Sequence, residues 1–223
     1  MRRDVQGIVL LLVGVMVLRL AVGEQFLFYV AEGMRPWLVV AAVVLVGLGG
    51  LTLWDAYTDE DHGHAGPRIA YLLLLPVLAV FVVAPSALGA FSAERSTPSA
   101  PPATADLPPL ADDPAEIPLR EYVIRAVWDA GRTLRGREVT MTGFVTPDPA
   151  GGWWLSRMSM ACCAADAQAS RIKVVGASEL PADTWVTVSG RWVEGGGLAD
   201  PDAVPLLEPT DVAAVSRPRN PYE

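Results

Sequence analysis

Two cysteines, Cys162 and Cys163, stand side by side in the stretch Met158-Ser159-Met160-Ala161-Cys162-Cys163-Ala164-Ala165-Asp166-Ala167, and they are the only two in the 223 residues. Thiolates bind zinc and other soft or borderline cations, and Asp166 adds a carboxylate three positions on. Neighbouring Cα atoms lie about 3.8 Å apart, below the usual disulfide separation of about 4.4 to 6.8 Å, so a bridge between the two would be strained and readily reduced. In a strand the thiols would point to opposite faces, so a shared site needs a loop. Three readings fit: small buried hydrophobes, a redox-active or strained vicinal pair, and a metal-binding or partner-contact loop. The candidate partner or ligand contacts are Cys162, Cys163, Asp166 and Trp185.

Both histidines lie elsewhere, in the acidic run Asp55, Asp59, Glu60, Asp61, His62, Gly63, His64. Imidazole and carboxylate are zinc ligand types, so His62, His64 and Asp61 join Cys162 and Cys163 as candidate metal ligands. A solvated acidic connection has the same composition. No histidine follows His64, so a metal at the cysteines must recruit Asp166 or another carboxylate, or be shared with a second chain. That same absence removes the commonest general base from the second half of the chain, and neither a Gly-Xaa-Ser-Xaa-Gly elbow nor a phosphate-cradling glycine loop is present. The expectation is a protein that is not an enzyme, with no cofactor other than zinc.

The elements that must position these residues divide the chain in two. Three apolar stretches, about Val5 to Val22, Trp37 to Leu53 and Ile69 to Phe91, each approach or exceed the roughly 17 to 25 residues that cross a bilayer core. They predict a three-helix transmembrane domain over 1–91. Cations in the short connections, Arg2, Arg3 and Arg68 on one side against Arg35 on the other, place the N-terminus in the cytoplasm and the C-terminal part outside it. Residues 92–118 are rich in Pro, Ala, Ser, Thr and Asp and read as a semi-rigid linker. From Ser92 onward 18 acidic side chains face 12 basic ones, which disfavours a nucleic-acid partner.

Residues 119–223 read as a small all-β domain behind a leading helix. Leu119, Val123, Ala126 and Val127 recur at helical spacing, with Gly131 suited to the helix end. Period-two alternation then predicts strands over about 136–145, 152–158, 171–175, 185–193 and 204–207. Five short strands suit a closed or partly open barrel of the oligonucleotide/oligosaccharide-binding (OB) kind, with an SH3-like barrel as competitor. Trp153, Trp154, Trp185 and Trp192 are candidates either for its core or for exposed binding platforms.

Taken together, Phe28-Tyr29-Val30, Met34-Arg35-Pro36, the acidic histidine loop, Leu72 to Pro85, Gly143-Phe144-Val145, the Cys162-Cys163 stretch and Asp183-Thr184-Trp185-Val186-Thr187-Val188-Ser189-Gly190 resemble the YcgQ-like family of bacterial membrane proteins. That resemblance implies a subunit of a two-component permease, partnered by a larger multi-span subunit and linked to metal homeostasis, zinc above all. It carries over no catalytic residue. The acidic loop is poorer in histidine than many metal-handling loops and has no cysteine, a departure that bears on direct zinc binding there.

Overall fold

The computed structural model describes residues 3–58, 87–96, 107–195 and 204–223. The chain forms two compact units, Met1–Ala87 and Leu88–Glu223.

In the first unit, helix α1 (Arg3–Val22) and helix α2 (Arg35–Thr58) are joined by short 3-10 turns at Gln25–Phe28 and Glu32–Met34. Both helices are long and apolar enough to cross a membrane. They pack antiparallel through glycines. A Cβ on Gly7 would come within 2.6 Å of Leu53, one on Gly14 within 2.8 Å of Val46, and one on Gly49 within 2.9 Å of the Leu11 backbone nitrogen. Small residues thus let the backbones approach closely, which is how helices associate when lipid removes the hydrophobic drive. Arg35 ties the turn together: its Nε donates to the Ala21 carbonyl at 3.0 Å, and its guanidinium lies over the Phe26 ring. Leu12 and Val15 on α1, and Trp37, Val43 and Leu51 on α2, are exposed large apolar side chains. The third expected crossing lies mostly outside the described residues. Its last two positions, Ala90 and Phe91, instead begin a short helix, α3 (Ala90–Arg95), of the second unit.

Among the described residues the second unit is a mixed six-stranded sheet with two α-helices. Its elements are β1 (Ala115–Glu116), helix α4 (Leu119–Trp128), β2 (Glu138–Pro147), β3 (Trp153–Ser159), β4 (Gln168–Val174), β5 (Trp185–Val193) and β6 (Leu206–Ala214). The strand order is β1-β2-β3-β4-β6-β5, and β2 also pairs antiparallel with β5 from Glu138↔Arg191 to Phe144↔Trp185. Alternation predicts five strands, and the described residues form six. The additional one, β1, runs parallel to β2 for two residues. The expected linker therefore ends early: Ala115 and Ile117 are buried in the core and Leu110 packs against it. Apolar side chains inside the proline-rich run join the domain because β2 offers them an open edge.

Alternation along each strand builds the core. Val139, Met141 and Val145 of β2, Trp153 and Leu155 of β3, Ile172 and Val174 of β4, and Val186 and Val188 of β5 form one cluster with Tyr122 and Val123 of α4. Helix α4 begins after Pro118, which offers no side-chain cap, and the Glu223 carboxylate serves instead by accepting from the Leu119 and Arg120 amides at 2.9 and 3.0 Å. A carboxylate there also meets the positive end of the helix dipole. The chain leaves α4 through Gly131, at φ 67°, where a Cβ would lie 2.4 Å from the Trp192 ring. Gly131→Ala is expected to cost about 2 to 4 kcal/mol, combining left-handed strain with displacement of the ring. Gly136→Ala is the control: its φ is 74° but nothing lies within 4 Å, so it keeps only the strain. Urea unfolding of the two variants side by side measures the difference, and equal losses would refute the close packing on Trp192.

Candidate functional site

The two cysteines lie in the connection between β3 and β4, whose last paired residues are Ser159 and Gln168. The loop closes with a 3-10 turn at Ala164–Asp166, entered from Cys163 in extended conformation (φ −154°, ψ 169°). Asp166 organises it. Its Oδ1 accepts from the Ala161 amide at 2.9 Å, and its Oδ2 accepts from the Cys162 and Cys163 amides at 2.9 and 3.3 Å. The Cys162 thiol also donates to Oδ2, at 2.7 Å, while the Asp166 amide in turn caps the Cys163 side chain. Three backbone amides on one carboxylate are what a tight loop needs to satisfy donors that no strand pairs.

This arrangement decides the orientation of the thiols. Cys162 is exposed and Cys163 half-buried, so the reading of the pair as buried small hydrophobes does not hold. Taken out of strand geometry, both sulfurs turn to one side, 3.7 Å apart. Ligand atoms of Cys162, Cys163 and Asp166 all lie within 4.8 Å of one another. Hydrogen bonding to Asp166, then to Cys163, pushes the Cys162 thiol up to about 11. The Cys162 thiol and the loop amides hold the Asp166 carboxyl down at about 2. At neutral pH the site is therefore a thiol held against a carboxylate.

Does this set fit a metal ion? Two thiolates on one tetrahedral zinc with bonds of about 2.3 Å sit about 3.8 Å apart, and the observed sulfurs already match that spacing. The Cys162 sulfur and Oδ2 are closer than two ligands of one zinc, about 3.5 Å, so the thiol proton must leave and the contact must widen, or Oδ1 must serve. Two sulfurs and a carboxylate are a borderline-soft donor set, and it fits zinc.

The other candidates are placed differently. His62, His64 and Asp61 lie outside the described residues. Trp185, on β5, is half-buried. Its ring packs edge-on against Phe144, with centroids 5.5 Å apart, and under the Arg157 guanidinium at 4.9 Å, so it is not part of the cysteine cluster. Of the candidate tryptophan platforms, Trp153 is core, at 1% exposure, and Trp154 carries Arg171 over its ring at 5.2 Å.

Sequence reasoning misses several buried polar side chains, among them Arg125, Arg157 and Arg171. Arg157, 8% exposed, donates to the carbonyls of Thr142 and Asn220 and lies 3.9 Å from the Glu223 carboxylate. Burial lowers its pKa, and Glu223 opposes that shift. The available signal is its place in β3 at core spacing from Trp153 and Leu155, where a charge is unexpected. Segment 88–96 is held to the same module at three points. The Leu88 amide donates to the Tyr222 hydroxyl at 3.1 Å, the Ala90 amide to Asp183 Oδ1 at 2.7 Å, and Arg171 to the Ser96 carbonyl.

Residues 122–223, a little under half of the chain, match the DUF1980 C-terminal domain family. That span contains β2 to β6 and the cysteine loop. No curated protein and no solved structure matches the chain.

Proposed function

We propose that this chain is a membrane-anchored, non-catalytic accessory subunit of a multi-span permease, and that its C-terminal module binds a zinc-like divalent cation through Cys162, Cys163 and Asp166. The observation that carries the metal reading is the 3.7 Å separation of two outward-turned sulfurs beside a fixed carboxylate. The permease partner rests on the YcgQ-like resemblance and on the exposed apolar faces of α1 and α2, which suit lipid and further helices. With a third crossing supplied by the apolar run from Ile69, and the N-terminus in the cytoplasm, the module stands outside the cytoplasm. There it is a five-stranded OB-like barrel. Supporting this, β2 pairs with both β3 and β5, β3 with β4, β4 with β6 in parallel, and β6 with β5, a closed circuit of neighbours to which β1 is an appendage.

Bound metal would supply charge and coordination, and the chain's own residues supply the rest. Asp166 keeps the loop folded and the thiols converged, and the exposed loop leaves the site open to a partner. Detergent-purified full-length chain should retain about one zinc per chain. Cys162→Ser or Cys163→Ser should weaken binding at least about tenfold, since losing one thiolate leaves a weak donor set. Purification from the native membrane should bring a multi-span protein with it. Zinc binding that is absent, or indifferent to both substitutions, would defeat the metal reading, and a chain that always purifies alone would defeat the permease reading.

A further inference from the structure

We propose that Cys162, Cys163 and Asp166 form an exchange site, one that holds the cation on this chain's ligands while a donor or acceptor protein brings an imidazole or thiolate to the remaining coordination position. The inference rests on the metal-binding reading above and adds how the site is used. Four protein ligands close a structural zinc site, whereas a site with three keeps a position open. Among the described residues no fourth His, Cys, Asp or Glu belongs to this cluster. Cys162 and Asp166 are exposed and Cys163 half-buried, so the free side of the coordination sphere faces solvent.

The loop's own bonding points the same way. Asp166 spends one oxygen on the Cys162 and Cys163 amides and the other on the Ala161 amide, which leaves it a single-oxygen ligand at best and a loop organiser first. A metal here is held firmly by two sulfurs and weakly by the carboxylate. Such a site loads and unloads through ligand replacement. On loading, Cys162 and Cys163 each release one proton to solvent, two metal–sulfur bonds and one bond to an Asp166 oxygen form, and the hydrated ion sheds its waters except for one at the open position. On hand-over, the incoming ligand takes the open position before a thiolate departs and is reprotonated. No electron is transferred.

Cobalt(II) tests this because its visible absorption reports coordination number and its near-ultraviolet bands report thiolate ligation. The full chain in detergent, loaded with one equivalent of cobalt, should show thiolate bands, and added imidazole should shift the visible bands saturably with the metal retained. Bands indifferent to imidazole, metal stripped without an intermediate spectrum, or one cobalt per two chains would overturn the open site while leaving metal binding intact. A His62→Asn, His64→Asn double variant should shift as the parent does; a shift seen only in that variant would mean that the chain's own histidines fill the position, and would overturn the proposal. Thiolate bands missing altogether would defeat the underlying metal reading as well, which sets that failure apart.

Discussion

Trp153→Ala is expected to destabilise the C-terminal module by about 3 to 5 kcal/mol, the range for deleting a fully buried large aromatic. Trp153 opens β3, is 1% exposed, and packs in the cluster that joins β2, β4, β5 and α4. Its removal leaves a cavity and takes the only N–H that its side chain offers, the Nε1 group donating to the Ser178 carbonyl at 3.0 Å. Domains of this size are stable by only about 5 to 15 kcal/mol, so the loss is a large share of the total. A fall in melting temperature of about 10 to 15 °C is the corresponding readout by circular dichroism on the full chain. Trp153→Phe separates the two contributions: it keeps most of the volume, forfeits the hydrogen bond, and should cost about 1 to 2 kcal/mol. A loss below about 1 kcal/mol for the alanine variant would mean that the ring is not core.

The second large effect is chemical. Asp166→Asn removes the carboxylate that raises Cys162, so its pKa should fall from about 11 towards the ordinary thiol range. Below its pKa, a thiol alkylates at a rate set by its thiolate fraction, and that fraction falls about tenfold for each unit of pH. In the parent chain, the Cys162 rate should therefore climb with pH throughout the range up to about 11. In the variant it should level off earlier, nearer the ordinary thiol pKa, with the Cys163 contribution to the rise remaining. At pH 8 the gain in thiolate outweighs the lower intrinsic nucleophilicity, which leaves a net acceleration of up to about tenfold. Following alkylation of the Cys162 peptide against pH by mass spectrometry isolates that thiol while keeping Cys163, whose hydrogen bond also raises it, in both chains. Equal profiles for the parent and the Asp166→Asn chain would show that the carboxylate does not hold the thiol proton.

Much of the module is legible residue by residue. Strand β5 can be read to its ends, Trp185–Val193, because Val186 and Val188 alternate cleanly with Thr187 and Ser189 and both its faces have distinct neighbours. The helix beginning at Leu119 and the strand around Val139 and Met141 are readable for the same reason, a clear period matched to one buried face. The side-chain pattern ends the last strand at Leu207, but β6 runs from Leu206 to Ala214, since Glu208, Pro209, Thr210 and Asp211 give it no alternation. It is held by β5 across a bulge at Ser189/Gly190, where a Cβ on Gly190 would strike the Glu208 carbonyl at 2.4 Å. That is backbone pairing, which leaves little trace in side-chain type. Helix α3 begins on the last two residues of an apolar run that reads as a membrane crossing and continues into the expected linker.

By itself, then, the amino-acid order determined the division into an apolar N-terminal part and a β-rich C-terminal part, the inward face of each regular strand, and the ligand chemistry available at Cys162, Cys163 and Asp166. Those properties follow from local period and composition. Only the tertiary structure decided that the two sulfurs converge, that Asp166 is the group gathering their loop, and that Trp185 answers to Arg157 instead of the cysteines. The first two are local contacts inside residues 161–166, set by a loop conformation that residue type alone does not specify. The third joins β3 to β5, segments apart in the chain, and no single window of sequence contains it.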